Sequence, residues 1–188
     1  LGAIMTRKLL YLIGQPGAGK TTLLNAAVED VPAIEIVGAV RLVHYTGAAG
    51  GTGAQIGGVR PGFGGTDVLP MNAQPHVVRF LAGDCGYEHV IAEGDRLGNA
   101  KFFRAVRGAG WDLTVCHLAV PDEVAARRRD ERGSTQNEAW IRGRVTKVRR
   151  LAEEWAAPEW RLDGQRPLAE LVNRLREHPA IAGIRGGA

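Results

Sequence analysis

Two cysteines in 188 residues exclude a disulfide framework. Cys85 and Cys116 are too few and too ordinary in context for a metal site, and Cys116 lies in an apolar run where a thiol acts as a small hydrophobe. No apolar run approaches the length that spans a bilayer, and no signal-peptide pattern is present. The expectation is a protein of the reducing cytoplasm with no membrane partner. Internal repeats are missing, and no linker is long enough to divide the chain, so residues 1–188 are expected to form one domain with a real core. Charge is ordinary too: 24 Lys and Arg against 20 Asp and Glu leave a formal +4. That excess suits a polyanionic partner, and it also suits many nucleotide-binding proteins. Met5-Thr6-Arg7-Lys8 reads as a natural start, with Leu1 to Ile4 as a remnant ahead of it.

What is abundant is glycine, at 26 residues. The most informative cluster is Gly14-Gln15-Pro16-Gly17-Ala18-Gly19-Lys20-Thr21. It follows an apolar strand pattern, Lys8 to Ile13, and precedes a helical one, Thr22 to Val28. Strand, glycine loop and helix are the setting of a Walker A phosphate loop. Backbone N–H groups can converge on a triphosphate only where side chains are absent, which explains Gly14, Gly17 and Gly19, with Ala18 between them. The helix N-terminus adds partial positive charge there. Lys20 is expected to reach the β- and γ-phosphates, Thr21 to ligate Mg²⁺, and Thr22 to donate to the α-phosphate. ATP with Mg²⁺ is the expected ligand.

Further along, residues 33–37 and 40–45 read as strands. Glycine then recurs densely from Thr46 to Gly65. So few side chains cannot build a packed core, and a loop or a loosely paired hairpin is expected. Helical spacing returns over 75–82, a core strand over 88–95 ends in Glu93 and Asp95, and a helix over 99–106 closes at Gly108. A strand over 111–120 leads through Pro121-Asp122-Glu123 into an arginine-rich helix. Ser134 to Asn137 is a polar break that caps a further helix, in which Ile141, Val145, Val148, Ala152 and Trp155 share one face. Residues 160–162 are expected as the last strand and 168–176 as a closing helix. Strands alternating with helices imply a parallel sheet covered on both faces. Ligands in such sheets sit beyond the carboxyl ends of the strands.

Three features point from binding to transfer. Glu93 ends an apolar strand, where an acid can support Mg²⁺ or position an attacking group; a surface carboxylate capping the next element would look the same, and Asp95 is as near in sequence. Arg127, Arg128, Arg129 and Arg132 before the polar break, with Arg142, Arg144 and Lys147 after it, suit a lid that closes over transferring charge. A solvated basic face is the plain alternative. Thr66-Asp67 after the glycine stretch offers a carboxylate to orient an acceptor hydroxyl and take its proton, although Thr and Asp also favour turns.

With those residues in place, the chain resembles small P-loop kinases of the nucleoside monophosphate kinase type from Lys8 to Arg176. The resemblance implies an α/β P-loop NTPase fold with a parallel sheet of about five strands and helices on both faces. It also implies an acceptor-binding insertion over about 41–70 and an arginine-rich lid over about 127–144. Catalytic roles would fall to Lys20, Asp67, Glu93, Arg128 and Arg132, with Thr21 and Glu93 at the metal. A narrower resemblance joins Phe63-Gly64-Gly65-Thr66-Asp67 and Glu93-Gly94-Asp95-Arg96-Leu97 to bacteriophage kinases that act on 5-hydroxymethyluracil in DNA. It implies Asp67 beside the acceptor hydroxyl and His44, Phe63, Thr66 and Arg96 around the base, with Arg60 and Arg144 as further substrate contacts. The partner would be DNA carrying a hydroxymethylated pyrimidine, met in the host cytoplasm. A kinase for a free nucleotide or small metabolite stays open. A nucleotide-dependent switch is a third reading, weakened because no Asn-Lys-x-Asp occurs anywhere.

Overall fold

A computed structural model describes residues 6–47, 50, 52–60 and 63–186, without the side chains of Val59, Arg60 and Phe63. Its strands in chain order are β1 (Lys8–Ile13), β2 (Ala33–Ile36), β3 (Leu42–Thr46), β4 (Thr52–Ile56), β5 (Gly58–Arg60), β6 (Phe63–Gly65), β7 (His89–Glu93), β8 (Asp112–Ala119) and β9 (Ala156–Asp163). The helices are α1 (Lys20–Ala27), α2 (Ala73–Ala82), α3 (Ala100–Gly108), α4 (Asp122–Glu131), α5 (Glu138–Trp155), α6 (Leu168–Arg176) and α7 (Pro179–Arg185).

Seven strands form one sheet in the order β2-β3-β4-β7-β1-β8-β9. The five from β4 to β9 run parallel. The expected five-stranded parallel core is therefore present, and β3 and β2 extend it antiparallel at one edge. β1 lies in the middle of these five because it is apolar and buried from Leu9 to Ile13. Leu9, Tyr11 and Ile13 enter the core layer that α2, α3 and α5 cover, while Leu10 and Leu12 enter the one under α1, α6 and α7. Asn99 caps α3 by accepting from Phe102 N at 2.9 Å, and Asn137 caps α5 by accepting from Trp140 N at 2.8 Å. The polar break before α5 thus acts as expected. No helix among the described residues is long and apolar enough to cross a membrane.

The glycine stretch departs from its reading. Its second half does form a short hairpin, β5 with β6. Its first half, though, supplies β4, a core strand in which Gly53, Ala54, Gln55 and Ile56 are buried. A Cβ at Gly53 would collide with Ile184 and lie 2.7 Å from the His89 carbonyl. Glycine is there so that α7 can press onto the sheet, not because the segment is loose. α7 itself was not anticipated; His178 caps it by accepting from Ala180 N at 3.1 Å, and Pro179 opens it.

Candidate active site

The phosphate loop is pinned from beneath before any ligand arrives. Gln15 Nε2 donates to Val120 O at 2.8 Å and to Asp122 Oδ1 at 3.2 Å, fastening the loop to the start of α4. Gly17 and Gly19 adopt φ of 93° and 97°, a region that disfavours any Cβ. At Gly17 the added carbon would also sit 2.5 Å from Ala125 O, so α4 lies directly against the loop. Lys20 Nζ donates to Gly14 O at 2.9 Å, curling the ammonium across the loop that it is expected to serve. Burial lowers the Lys20 pKa, opposed by the charges of Glu93, Asp67 and Asp95.

Thr21 and Glu93 meet at the sheet's carboxyl edge. β1 and β7 are neighbours with Leu12 opposite Glu93, which sets the strand-end acid beside the helix that follows the loop. Thr21 Oγ1 donates to Glu93 Oε1 at 2.7 Å. Glu93 is only 2% exposed, and its pKa is raised by burial more than Lys20 and the Thr21 hydrogen bond lower it. Two adjacent hard oxygens suit Mg²⁺, which binds through few protein ligands and completes its shell with water and phosphate. No cluster of three or more His, Cys, Asp or Glu suited to a metal occurs among the described residues.

Glycines roof this pair. A Cβ on Gly64 would stand 2.6 Å from Thr21 Cγ2, and one on Gly65, whose φ is 57°, would collide with the carbonyl and Oε1 of Glu93. Only a bare backbone fits at both. Beyond them Thr66 is fully buried, 3.2 Å from the Tyr11 hydroxyl, which donates to Gly94 O at 2.9 Å. Thr66 therefore does not line an open base site, contrary to expectation; it fastens the hairpin to β1. Desolvation holds the Tyr11 hydroxyl well above its ordinary pKa, so it stays a donor. Asp67 Oδ1 accepts from the amides of Asp95 and Arg96, both at 2.9 Å. Its second oxygen has no hydrogen-bond partner among the described residues.

The other expected acceptor residues divide. His44 Nδ1 lies 3.1 Å from the Tyr87 hydroxyl and Nε2 3.2 Å from Thr46 Oγ1. It sits opposite Ala54, which pairs with Val90 three residues before Glu93, so it stands two strands away and below the site's edge. Antiparallel β3 carries it there, and the expectation of His44 at the base is corrected. Arg96 lies half-buried beside Asp67, with Nη2 3.4 Å from the Asp67 carbonyl and its other arm against Met71 Sδ. The side chains of Arg60 and Phe63 lie outside the described residues.

The arginine group is split by function. Arg128 bridges Ala18 O and Gly164 O, both at 3.0 Å, and Arg132 Nε donates to Arg128 O at 3.1 Å. Both line a cavity of about 340 Å³ together with Gly17, Gly19, Thr22 and Leu168. Arg129 is buried and donates to Pro16 O at 2.6 Å, making it a strut of the loop. Arg144 and Lys147 turn to the other side and clamp Asp95 at 2.9 and 2.7 Å. Sequence reasoning puts Arg129 in the lid and not at the loop it supports, and misses Gln15 as a loop support and Tyr11 as the anchor of Thr66 and Gly94; only the position of Gln15 within the loop hints at a role.

A phosphate loop, an acid on the adjoining strand and arginines over the loop leave one kind of protein to look for. The family model described as P-loop Nucleotide Kinase3 matches residues 5–178. The chain belongs to that family. This P-loop kinase is an enzyme of ATP-dependent phosphotransfer. No curated protein sequence matches it. Among solved structures it is similar to one described as a sugar kinase from Janibacter sp., at 18% identity and a TM-score of 0.55, covering 97% of this chain and 99% of that one. A likeness at that identity speaks for the fold.

Proposed function

We propose that this kinase transfers the γ-phosphate of ATP to an alcohol, with Mg²⁺ held at Thr21 and Glu93, and that the alcohol is the 5-hydroxymethyl group of a modified pyrimidine in DNA. The observation that carries the transfer is the 2.7 Å contact between Thr21 Oγ1 and Glu93 Oε1 within reach of the Lys20 loop. Bound there, Mg²⁺ would offset charge on the β- and γ-phosphates. Lys20 swings from Gly14 O onto the same oxygens. The nucleoside end of ATP takes the cavity between the loop, Arg128 and Gly164. The free oxygen of Asp67 accepts the acceptor's proton as its O–P bond forms and the bond from γ-phosphorus to the bridging oxygen breaks, the electron pair leaving with ADP. Arg132 faces the charge on the equatorial oxygens.

Support for a DNA acceptor is less direct. The motifs Phe63 to Asp67 and Glu93 to Leu97 stand side by side, joined by Asp67. The bare backbone of Gly64 and Gly65 packs directly on Thr21 and Glu93, and the target base would leave its stack to enter beside it. A free nucleotide or other small metabolite is the second reading, favoured by the described activity of the Janibacter sugar kinase. γ-Labelled ATP and Mg²⁺ supplied with duplex DNA carrying 5-hydroxymethyluracil, or with free nucleotides, decides between them. Label in the DNA that falls steeply with salt supports the proposal; label confined to small molecules overturns it.

A further inference from the structure

The α4–α5 segment concentrates the charge of the whole chain. Between Asp122 and Arg150 stand nine basic and five acidic residues, an excess equal to the protein's entire formal +4. The remainder of the chain is neutral by the same count. Within this segment the basic side chains serve different ends. Arg128 and Arg129 point inward to loop carbonyls. Arg142 and Arg149 make solvent-exposed pairs with Glu138 and Asp122, which hold little energy and leave the cations available to another anion.

One stripe is different. Trp140, Arg144 and Lys147 follow one another at i, i+4 and i+7 on α5, and so share a face. Its lower end is anchored: Lys147 and Arg144 both hold Asp95, two residues beyond Glu93. The upper end is an indole in water. Trp140 is 37% exposed, whereas Trp111 is 3% exposed and donates to Leu81 O. Among the described residues, the recorded ring partner of Trp140 is the Arg144 guanidinium, 4.9 Å from its centroid. That cation covers one side of the ring and stiffens it, which leaves area on the indole open. An exposed, braced aromatic at the end of a cationic stripe matches what unstacked bases and their phosphates require.

We infer that Trp140 is a stacking platform for a nucleotide a few steps along the strand from the one that is phosphorylated, with Arg144 on the same face turned to the strand's phosphates. This rests on the DNA reading above. The spacing agrees with a base further along the strand and not with the acceptor itself. Seven helical residues separate Lys147 from Trp140, about 10 Å, which is roughly three base steps of about 3.4 Å along a strand. The platform selects unstacked DNA without reading its sequence, because every base presents a π-face.

The test measures a fluorescein-labelled single-stranded oligothymidylate by anisotropy at two salt concentrations, and phosphorylation of an oligonucleotide carrying 5-hydroxymethyluracil. Trp140→Ala is expected to raise the oligonucleotide Kd and KM about tenfold or more, with the KM for ATP in place. Trp140→Phe should recover most of that loss and Trp140→Leu little of it, since apolar cover alone does not stack. Wild-type affinity in Trp140→Ala, or full recovery by Trp140→Leu, would overturn the platform while the DNA reading stood. A rise in the ATP KM as large as that for the oligonucleotide would reduce Trp140 to a prop of the lid and overturn it equally. Wild-type enzyme that binds no oligonucleotide and labels only free nucleotides would bring down both.

Discussion

Lys147 holds Asp95 twice, with Nζ 2.7 Å from Oδ1 and 3.2 Å from the carbonyl oxygen. The loop that follows β7 is thereby tied to α5. Arg144 adds a second contact to the other carboxylate oxygen. Because these side chains are about a third exposed, solvent screens the attraction. A double-mutant cycle of Asp95→Ala and Lys147→Ala should give a coupling of about 0.5–1 kcal/mol in thermal unfolding. The kinetic effect should be larger and appear in acceptor KM, since the tie positions the lid and not the phosphate loop.

The amide contacts of Asp67 and its proposed role as base are separated by two substitutions. Asp67→Asn keeps an oxygen for the amides of Asp95 and Arg96 and removes the base. Steady-state kinetics should show kcat down by about 10²–10⁴ with ATP KM unchanged and the melting temperature held. Asp67→Ala leaves both amides unpaired as well, and should cost a further ~1–3 kcal/mol of stability in denaturant melts.

The glycine roof predicts sharp intolerance. Gly65→Ala places a methyl against Glu93 in a left-handed backbone, and should lower kcat and destabilise by about 1–3 kcal/mol. Gly108→Ala is the control, since nothing lies within 4 Å of the added carbon at the end of α3. That variant should melt at or slightly above the parent temperature.

Glu93 should impose a pH slope on the ligand-free enzyme. Burial raises its pKa in the folded state above the unfolded value. Folding is therefore favoured by Glu93 while the group is protonated in both states, and that contribution is lost as pH rises through the raised folded pKa. Melting temperatures taken upward from about pH 4, near the ordinary carboxylate value, should fall more steeply for the parent than for Glu93→Gln. Glu93→Gln should also lose phosphotransfer. Parallel slopes would remove the buried carboxylate from the account.

Lys20→Ala should cut kcat by at least about 10²–10³ on any acceptor. Ligand-free stability should change little, because the lost hydrogen bond to Gly14 O is offset by relief from burying an ammonium. Labelled-ATP turnover and a thermal melt on the same preparation check both halves.

Local pattern made part of this molecule legible. The phosphate loop, the strand before it, the acid at the end of β7 and the cap of α5 are each written within about ten residues, so periodicity and residue type suffice. Contacts between distant segments were not legible. Thr66 meets Tyr11 across 55 positions, and nothing near Thr66 announces that its hydroxyl is enclosed. Resemblance alone put His44 at the base, and antiparallel pairing carries β3 away from that edge. β4 hid for a different reason: its Gly53 answers to α7, a helix more than a hundred residues later, and a small residue looks like slack until the element that fills the space is known.

The peptide roof over Thr21 and Glu93 has one further consequence. A wall without side chains offers an incoming molecule no shape to match and no charge to satisfy beyond the peptide itself. Discrimination among alcohols must then reside in the remaining walls, which substitutions can remodel while the phosphate machinery stays untouched. The chemistry and the choice of customer are thus able to evolve on separate surfaces.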